Sequence, residues 1–327
     1  MQDRAEYSAE GFYEALASRV IPLLARPLGA TLAVALLTTV LSIGAAAAPP
    51  PTRIVSLAPA VTETLFALGK GDAVVGVSQY CDYPQAATRL PKVGTFLTPN
   101  VEAIAALRPD LIIGPGLSSS RREVRMLEAM GYPTLTVNDT SLDGIEQSIT
   151  LIGARTGEQE AARRLLGAIH THIEEVRTRL ERTKPRTVVM LVGHQPMVAV
   201  GRGTFLDDLL HLAGGDNIAD LSAENWPRLS IEYIIAMRPE VILDGAMGSD
   251  ANTPTGFWAR YPTIPAVRDH RVFGYPQDPM LHPGPRVWQS LEILARRIHP
   301  EAFAQSDTQD VARCMQDATR CAQGAPR

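Results

Sequence analysis

The stretch Val101-Glu-Ala-Ile-Ala-Ala-Leu-Arg-Pro-Asp-Leu-Ile-Ile113 recurs without gaps as Ile231-Glu-Tyr-Ile-Ile-Ala-Met-Arg-Pro-Glu-Val-Ile-Leu243. Glu, Ile, Ala, Arg, Pro and Ile stand in phase in the two copies. Each copy spells a short helix, a stop and a buried strand. The stop follows from Arg108-Pro109 and Arg238-Pro239, because proline disfavours the right-handed helical region in the residue before it. Two copies of one helix–Pro–strand unit predict two lobes of similar topology.

Working outward, short apolar runs alternate with helical patterns on both sides of each copy. Ile54–Leu57, Val74–Val77, Leu111–Ile113 and Thr134–Val137 read as strands, with helices at Thr62–Leu68, Val101–Leu107 and Arg121–Met130. Thr187–Val192, Val241–Leu243 and Arg271–Phe273 read as strands of the second half, with helices at Thr204–Leu212 and Ile231–Met237. Strands alternating with helices predict α/β lobes built on parallel sheets. Between the lobes, Ala161, Ala162, Leu165, Leu166, Ile169, Ile173, Val176 and Leu180 recur at three- and four-residue steps. This predicts one amphipathic helix over Gly157–Arg182, a rigid strut that limits how far the lobes close. The expected organisation is a signal region at 1–48, a first lobe at 52–156, the connecting helix at 157–183, a second lobe at 184–300 and a tail at 301–327.

Composition bounds the function. The chain has 327 residues, a formal net charge of −4 and no basic run, which argues against a nucleic-acid partner. Residues 28–43 are apolar apart from small and hydroxyl residues; Arg26 precedes them, and Ala45–Ala48 and Pro49–Pro51 follow. That run is too short for a spanning helix and predicts a secretory signal, hence a periplasmic location. Residues 1–19 carry four acidic side chains and only two arginines, unlike a charged leader, which suggests a start nearer Val20. No Cys follows the apolar run, so a free rather than lipid-anchored protein is expected. Cys314 and Cys321 pair only if the helical pattern breaks between them, and their pairing stays open.

Two further stretches, Arg53-Ile-Val-Ser-Leu-Ala-Pro-Ala-Val-Thr-Glu-Thr64 and Val75-Gly-Val-Ser-Gln-Tyr-Cys-Asp-Tyr-Pro84, join the two Arg-Pro copies in carrying a family resemblance. From Arg53 to about Pro300 the chain resembles the helical-backbone class of ABC-transporter substrate-binding proteins, which take cobalamin, haem or ferric siderophores. Ser78–Pro84 and Asn225–Ser230 are most similar to the vitamin B12-binding family. The resemblance implies a monomer that captures a corrinoid between its lobes and hands it to an ABC permease and its ATPase. It implies no catalysis, no resident cofactor and no protein-held metal.

The same resemblance, with position at strand exits, selects the site. Ligands of such sheets bind beyond the carboxyl ends of the strands. Tyr80, Phe96, Trp226, Asp278 and His282 all fall on such loops and are expected to contact the ligand, the aromatics covering the face of a planar ring. The plain alternative is that each aromatic packs under its own loop. There are departures from the cobalamin family: Phe96 stands where it has Trp, His282 where it has Arg, and Pro115 replaces another Trp. Thr95 stands where haem binders often carry Tyr, which counts against haem. Glu102 and Glu232 match the family's docking glutamates and are expected to meet permease arginines, one per lobe; the plain alternative is a charge complementing a helix N-terminus. An exported enzyme using Cys81 and one of His194, His211 or His282 is the rival from another class.

Overall fold

The computed structural model describes residues 49–116, 121–245 and 256–304. The expected signal region, Cys314, Cys321 and most of the tail lie outside these residues. The chain divides into Met1–Pro49 and a compact unit, Pro50–Arg327, which alone is described below.

The first sheet holds β1 (Ile54–Ser56), β2 (Val74–Val77), β3 (Leu111–Pro115) and β4 (Thr134–Val137), all parallel, in the order β2-β1-β3-β4. Helices α1 (Pro59–Ala67), α2 (Val101–Ala106) and α3 (Arg121–Ala129) make its crossovers. After β4 come α4 (Leu142–Thr156) and α5 (Gln159–Leu180). The second sheet holds β5 (Arg186–His194), β6 (Met197–Ala199), β7 (Gly215–Asn217), β8 (Val241–Asp244) and β9 (Val272–Gly274). Its order is β6-β5-β8-β9, and β7 shares the β6 side of β5. Helices α6 (Phe205–Leu212), α7 (Ile231–Met237), α8 (Pro265–Arg268) and α9 (Val287–Ile298) complete the lobe. Among the described strands only β6 departs from the parallel pattern; it folds back antiparallel on the end of β5.

The repeat is structural as well as sequential. The Asn100 carboxamide oxygen accepts from the Ala103 N–H at 2.9 Å to start α2, and the Ser230 hydroxyl accepts from the Tyr233 N–H at 3.2 Å to start α7. Both helices end on an arginine with positive φ, Arg108 at 47° and Arg238 at 52°. The following proline then releases the chain into β3 or β8.

Each sheet is buried on both faces, and its strands alternate accordingly. Ile54, Leu111 and Ile113 face one core, whereas Val55 and Ile112 face another that contains Ile104 of α2. In the second lobe Val188, Met190, Val241 and Leu243 face the first of these cores, while Val189, Leu191 and Ile242 face a third that contains Ile234 of α7. The inner faces of both sheets therefore share one core with α5, whose Ala162, Ile169 and Val176 are buried at seven-residue steps.

The connecting helix is shorter than expected. Gly157, φ +81°, is the left-handed cap that ends α4, so α5 begins at Gln159 and runs 22 residues, about 33 Å. Helices α4 and α9 were not foreseen, although Ile145, Ile149 and Ile152, and Val287, Leu291, Leu294 and Ile298, bury one face each. Among the described residues no helix is long and apolar enough to cross a membrane.

Candidate functional site

The strand-exit loops of both lobes meet around a cavity of about 580 Å³. Tyr80, Phe96, Trp226, Asp278 and His282, the five residues chosen from the sequence, all line it. The Ala58–Ala60 start of α1 forms part of its wall.

Each loop is held by local chemistry. Tyr80 follows β2 and meets Phe96 edge-on, with ring centroids 6.3 Å apart. Phe96 sits in a tight loop that requires Gly94 at φ +93°, where an added methyl would lie 2.6 Å from the Thr98 carbonyl oxygen. Trp226 is carried by an irregular stretch that pairs along the β6 edge: the Ala199 N–H donates to Pro227 and the Leu229 N–H donates to Met197. Tyr80 and Trp226 are about half exposed, 50% and 46%, so neither is a core residue. Asp278 and His282 lie on the turn after β9, closed by the Leu281 N–H donating to Gln277 and the His282 N–H donating to Pro279.

The cavity is apolar and aromatic with an acidic lining. Asp82 and Asp139 join Asp278 around it, and among the described lining residues none is Lys or Arg. Burial pushes the Asp139 carboxyl above its usual range, partly offset by its own backbone N–H. These two aspartates were not singled out from the sequence; their positions, two residues past the end of β4 and two past Tyr80, were the available signal.

Behind Asp278 lies a buried ionic cluster that sequence reading also missed. Glu63 of α1 receives both arms of Arg286, at 2.6 and 2.8 Å, from the residue before α9. Arg286 also reaches Asp278. The His282 Nδ1 lies 3.1 Å from Glu63 and 3.2 Å from Asp278. The signal was present: Glu63 is the one charged residue of the otherwise uncharged run Pro59–Leu68, and a Glu buried in such a helix requires a cation. A second tie between the lobes runs from the Leu142 N–H of α4 to Asp208 of α6 at 2.8 Å.

The docking candidates occupy equivalent, exposed positions. Glu102 and Glu232 are each the second residue of their helix, after Asn100 and Ser230. Its own backbone N–H, then the Ser230 hydroxyl, hold the Glu232 carboxyl below its usual range.

Cys81 does not resemble a nucleophile. It is fully buried, its thiol is pushed up by burial, and it lies 3.2 Å from the Thr62 hydroxyl and 3.0 Å from that of Ser78. The three histidines weighed as its partners engage other groups: His194 meets Asp244 at 2.7 Å, His211 meets Asp220 at 2.8 Å and His282 meets Glu63.

A model of the periplasmic binding protein family matches residues 54–279. The vitamin B12-binding protein of Yersinia pseudotuberculosis is 32% identical over 235 residues, covering 72% of this chain and 83% of the relative. Among solved structures, the periplasmic vitamin B12-binding protein of Vibrio cholerae is 29% identical with a TM-score of 0.68, over 76% of this chain and 97% of that one. The periplasmic haem-binding protein of a Roseiflexus species is 31% identical with the same TM-score, over 76% and 98%. These relatives are binding proteins, and the matched span takes in both sheets and Tyr80, Phe96, Trp226 and Asp278. By sequence, by fold and by the cleft between its lobes, the chain belongs to the periplasmic binding protein family.

Proposed function

We propose that the protein captures cobalamin, or a related corrinoid, in its interlobe cleft in the periplasm. It then presents that ligand to an ABC permease through Glu102 and Glu232. The observation that carries the choice of ligand is the lining of the cavity: Tyr80, Phe96 and Trp226 with Asp82, Asp139 and Asp278, and no Lys or Arg among the described lining residues. Aromatic faces suit a wide ring. Carboxylates accept hydrogen bonds from peripheral amides, which a corrinoid carries in number. Haem bears anionic propionates, and ferric siderophores are commonly anionic; the described lining offers them no Lys or Arg to pair with, and Asp82 adds a like charge.

Haem remains the second reading, favoured by the Roseiflexus haem-binding protein of nearly equal similarity. Export through the amino-terminal signal, action as a monomer, and binding without a resident cofactor or protein-held metal belong to the same proposal. Calorimetric titration of the purified mature protein with cobalamin and with haem tests the ligand. Cobalamin binding at micromolar or tighter, about −8 kcal/mol, with weak or absent haem binding is expected. No heat with cobalamin and tight binding of haem overturns the corrinoid assignment.

A further inference from the structure

Asp278 lines the cleft beside His282, whose Nδ1 is 3.2 Å away, but its carboxylate is gripped on both oxygens by Arg286, which does not line it. Arg286 is nearly buried, 11% exposed, and its guanidinium is shared. Its Nε donates to Glu63 Oε2 at 2.8 Å and its Nη2 donates to Glu63 Oε1 at 2.6 Å. Its Nη1 donates to Asp278 Oδ2 at 3.3 Å, and Nη2 also donates to Asp278 Oδ1. The Tyr83 ring covers its face at 4.1 Å. A planar fork with both carboxylates engaged has one orientation. Asp278 itself is half exposed, 51%, and without that partner its side chain gains rotamer freedom that ligand binding must then remove.

Glu63 fixes the fork from the other lobe. It lies in α1, 223 residues away in sequence, with its carboxylate buried. A buried carboxylate holds its cation tightly, since an unpaired charge there is costly. The two lobes also touch directly at this point: a methyl on Gly284 would lie 3.1 Å from the Ala60 Cα. The position of Asp278 in the cleft is therefore set by a residue of the opposite lobe.

We propose that Glu63 and Arg286 are positioning residues for ligand capture, fixing the Asp278 carboxylate across the lobe boundary so that it meets the ligand's hydrogen-bond donors in a prepared geometry. This rests on the cleft being the corrinoid site.

The test is a pair of double-mutant cycles. Glu63→Gln and Arg286→Lys are made alone and with Asp278→Asn, and cobalamin affinity is measured by calorimetry for proteins with native circular dichroism. Each single variant is expected to weaken binding about tenfold, and by no more than about twofold when Asp278→Asn is already present. Equal losses in both backgrounds overturn the proposal, because a general packing role needs no Asp278. Amide hydrogen exchange in the ligand-free protein gives a second reading. Glu63→Gln should speed exchange in the 277–282 turn of the opposite lobe and leave α3 of its own lobe unchanged. An unchanged turn overturns the proposal. If the wild-type protein takes up no cobalamin, the corrinoid reading fails, while the exchange experiment still decides the positioning role.

Discussion

The two lobes carry one thirteen-residue unit twice and diverge where they meet the cleft. In both, a polar cap starts the helix, an arginine of positive φ ends it, and the acid after Arg-Pro reaches back to the start of the lobe's first strand. Asp110 accepts from the Thr52 and Arg53 N–H groups, both within 2.9 Å, and Glu240 accepts from the Thr187 N–H at 3.1 Å. Beyond this shared frame the lobes differ. The first sheet is wholly parallel, and Tyr80 and Phe96 sit on loops beyond β2. The second adds the antiparallel β6, whose edge holds the Trp226 stretch, and it contributes the turn with Asp278 and His282. The lesson is that the repeated unit supplies scaffold and symmetric surface, while the unrepeated loops line the cleft.

The largest expected effect tests the symmetric surface. Reversing both Glu102 and Glu232 to Lys should abolish uptake of ligand in cells, with solution affinity nearly unchanged, because charge pairs of this kind govern encounter and orientation. Either reversal alone should leave partial uptake. Normal transport by the double variant leaves both glutamates as helix-end charges.

The scaffold is tested next. Ile104 and Ile234 are equivalent, and each is fully buried in its own lobe's outer core. Ile104→Ala and Ile234→Ala should each cost about 2–5 kcal/mol in denaturant unfolding, and similarly. A marked inequality between them breaks the structural equivalence of the lobes.

The cleft loops come third. Trp226→Ala should weaken cobalamin binding by about 1–3 kcal/mol with little change in the melting temperature of the empty protein, because the side chain is half exposed. Unchanged affinity with a large loss of stability would return Trp226 to the core.

The smallest effect separates the two acids. The Asp110 carboxyl, raised by partial burial, is brought below its usual range by the N–H groups of Thr52 and Arg53. A depressed folded pKa stabilises above the unfolded value and loses that contribution as pH falls through the folded one. Asp110→Asn should therefore cost about 1 kcal/mol at neutral pH, at the low end because the site is exposed, and nothing in strong acid. Glu240→Gln, which loses a single strand N–H, should cost less. A pH-independent loss for Asp110→Asn assigns its role to shape rather than charge.

Much of this was legible in the residues. Hydrophobic period and proline stops are local signals, so seven strands and five helices, the repeat and the two equivalent glutamates could be read directly. Loop position at strand exits, helped by family resemblance, pointed to all five residues that line the cavity with Asp82 and Asp139. The bounds of α5 were misjudged because Gly157 serves as a cap of α4 rather than as the first residue of the strut, a distinction of backbone sign that composition does not carry. What only the tertiary structure decided is pairing at long range. Nothing in the sequence sets Glu63 beside Arg286, Asp208 beside the Leu142 N–H, or the Trp226 stretch along β6. Periodicity reports how each segment meets solvent, whereas the choice of partner follows from how the lobes pack, and it is that packing which turns a buried glutamate of one lobe into a support for an aspartate of the other.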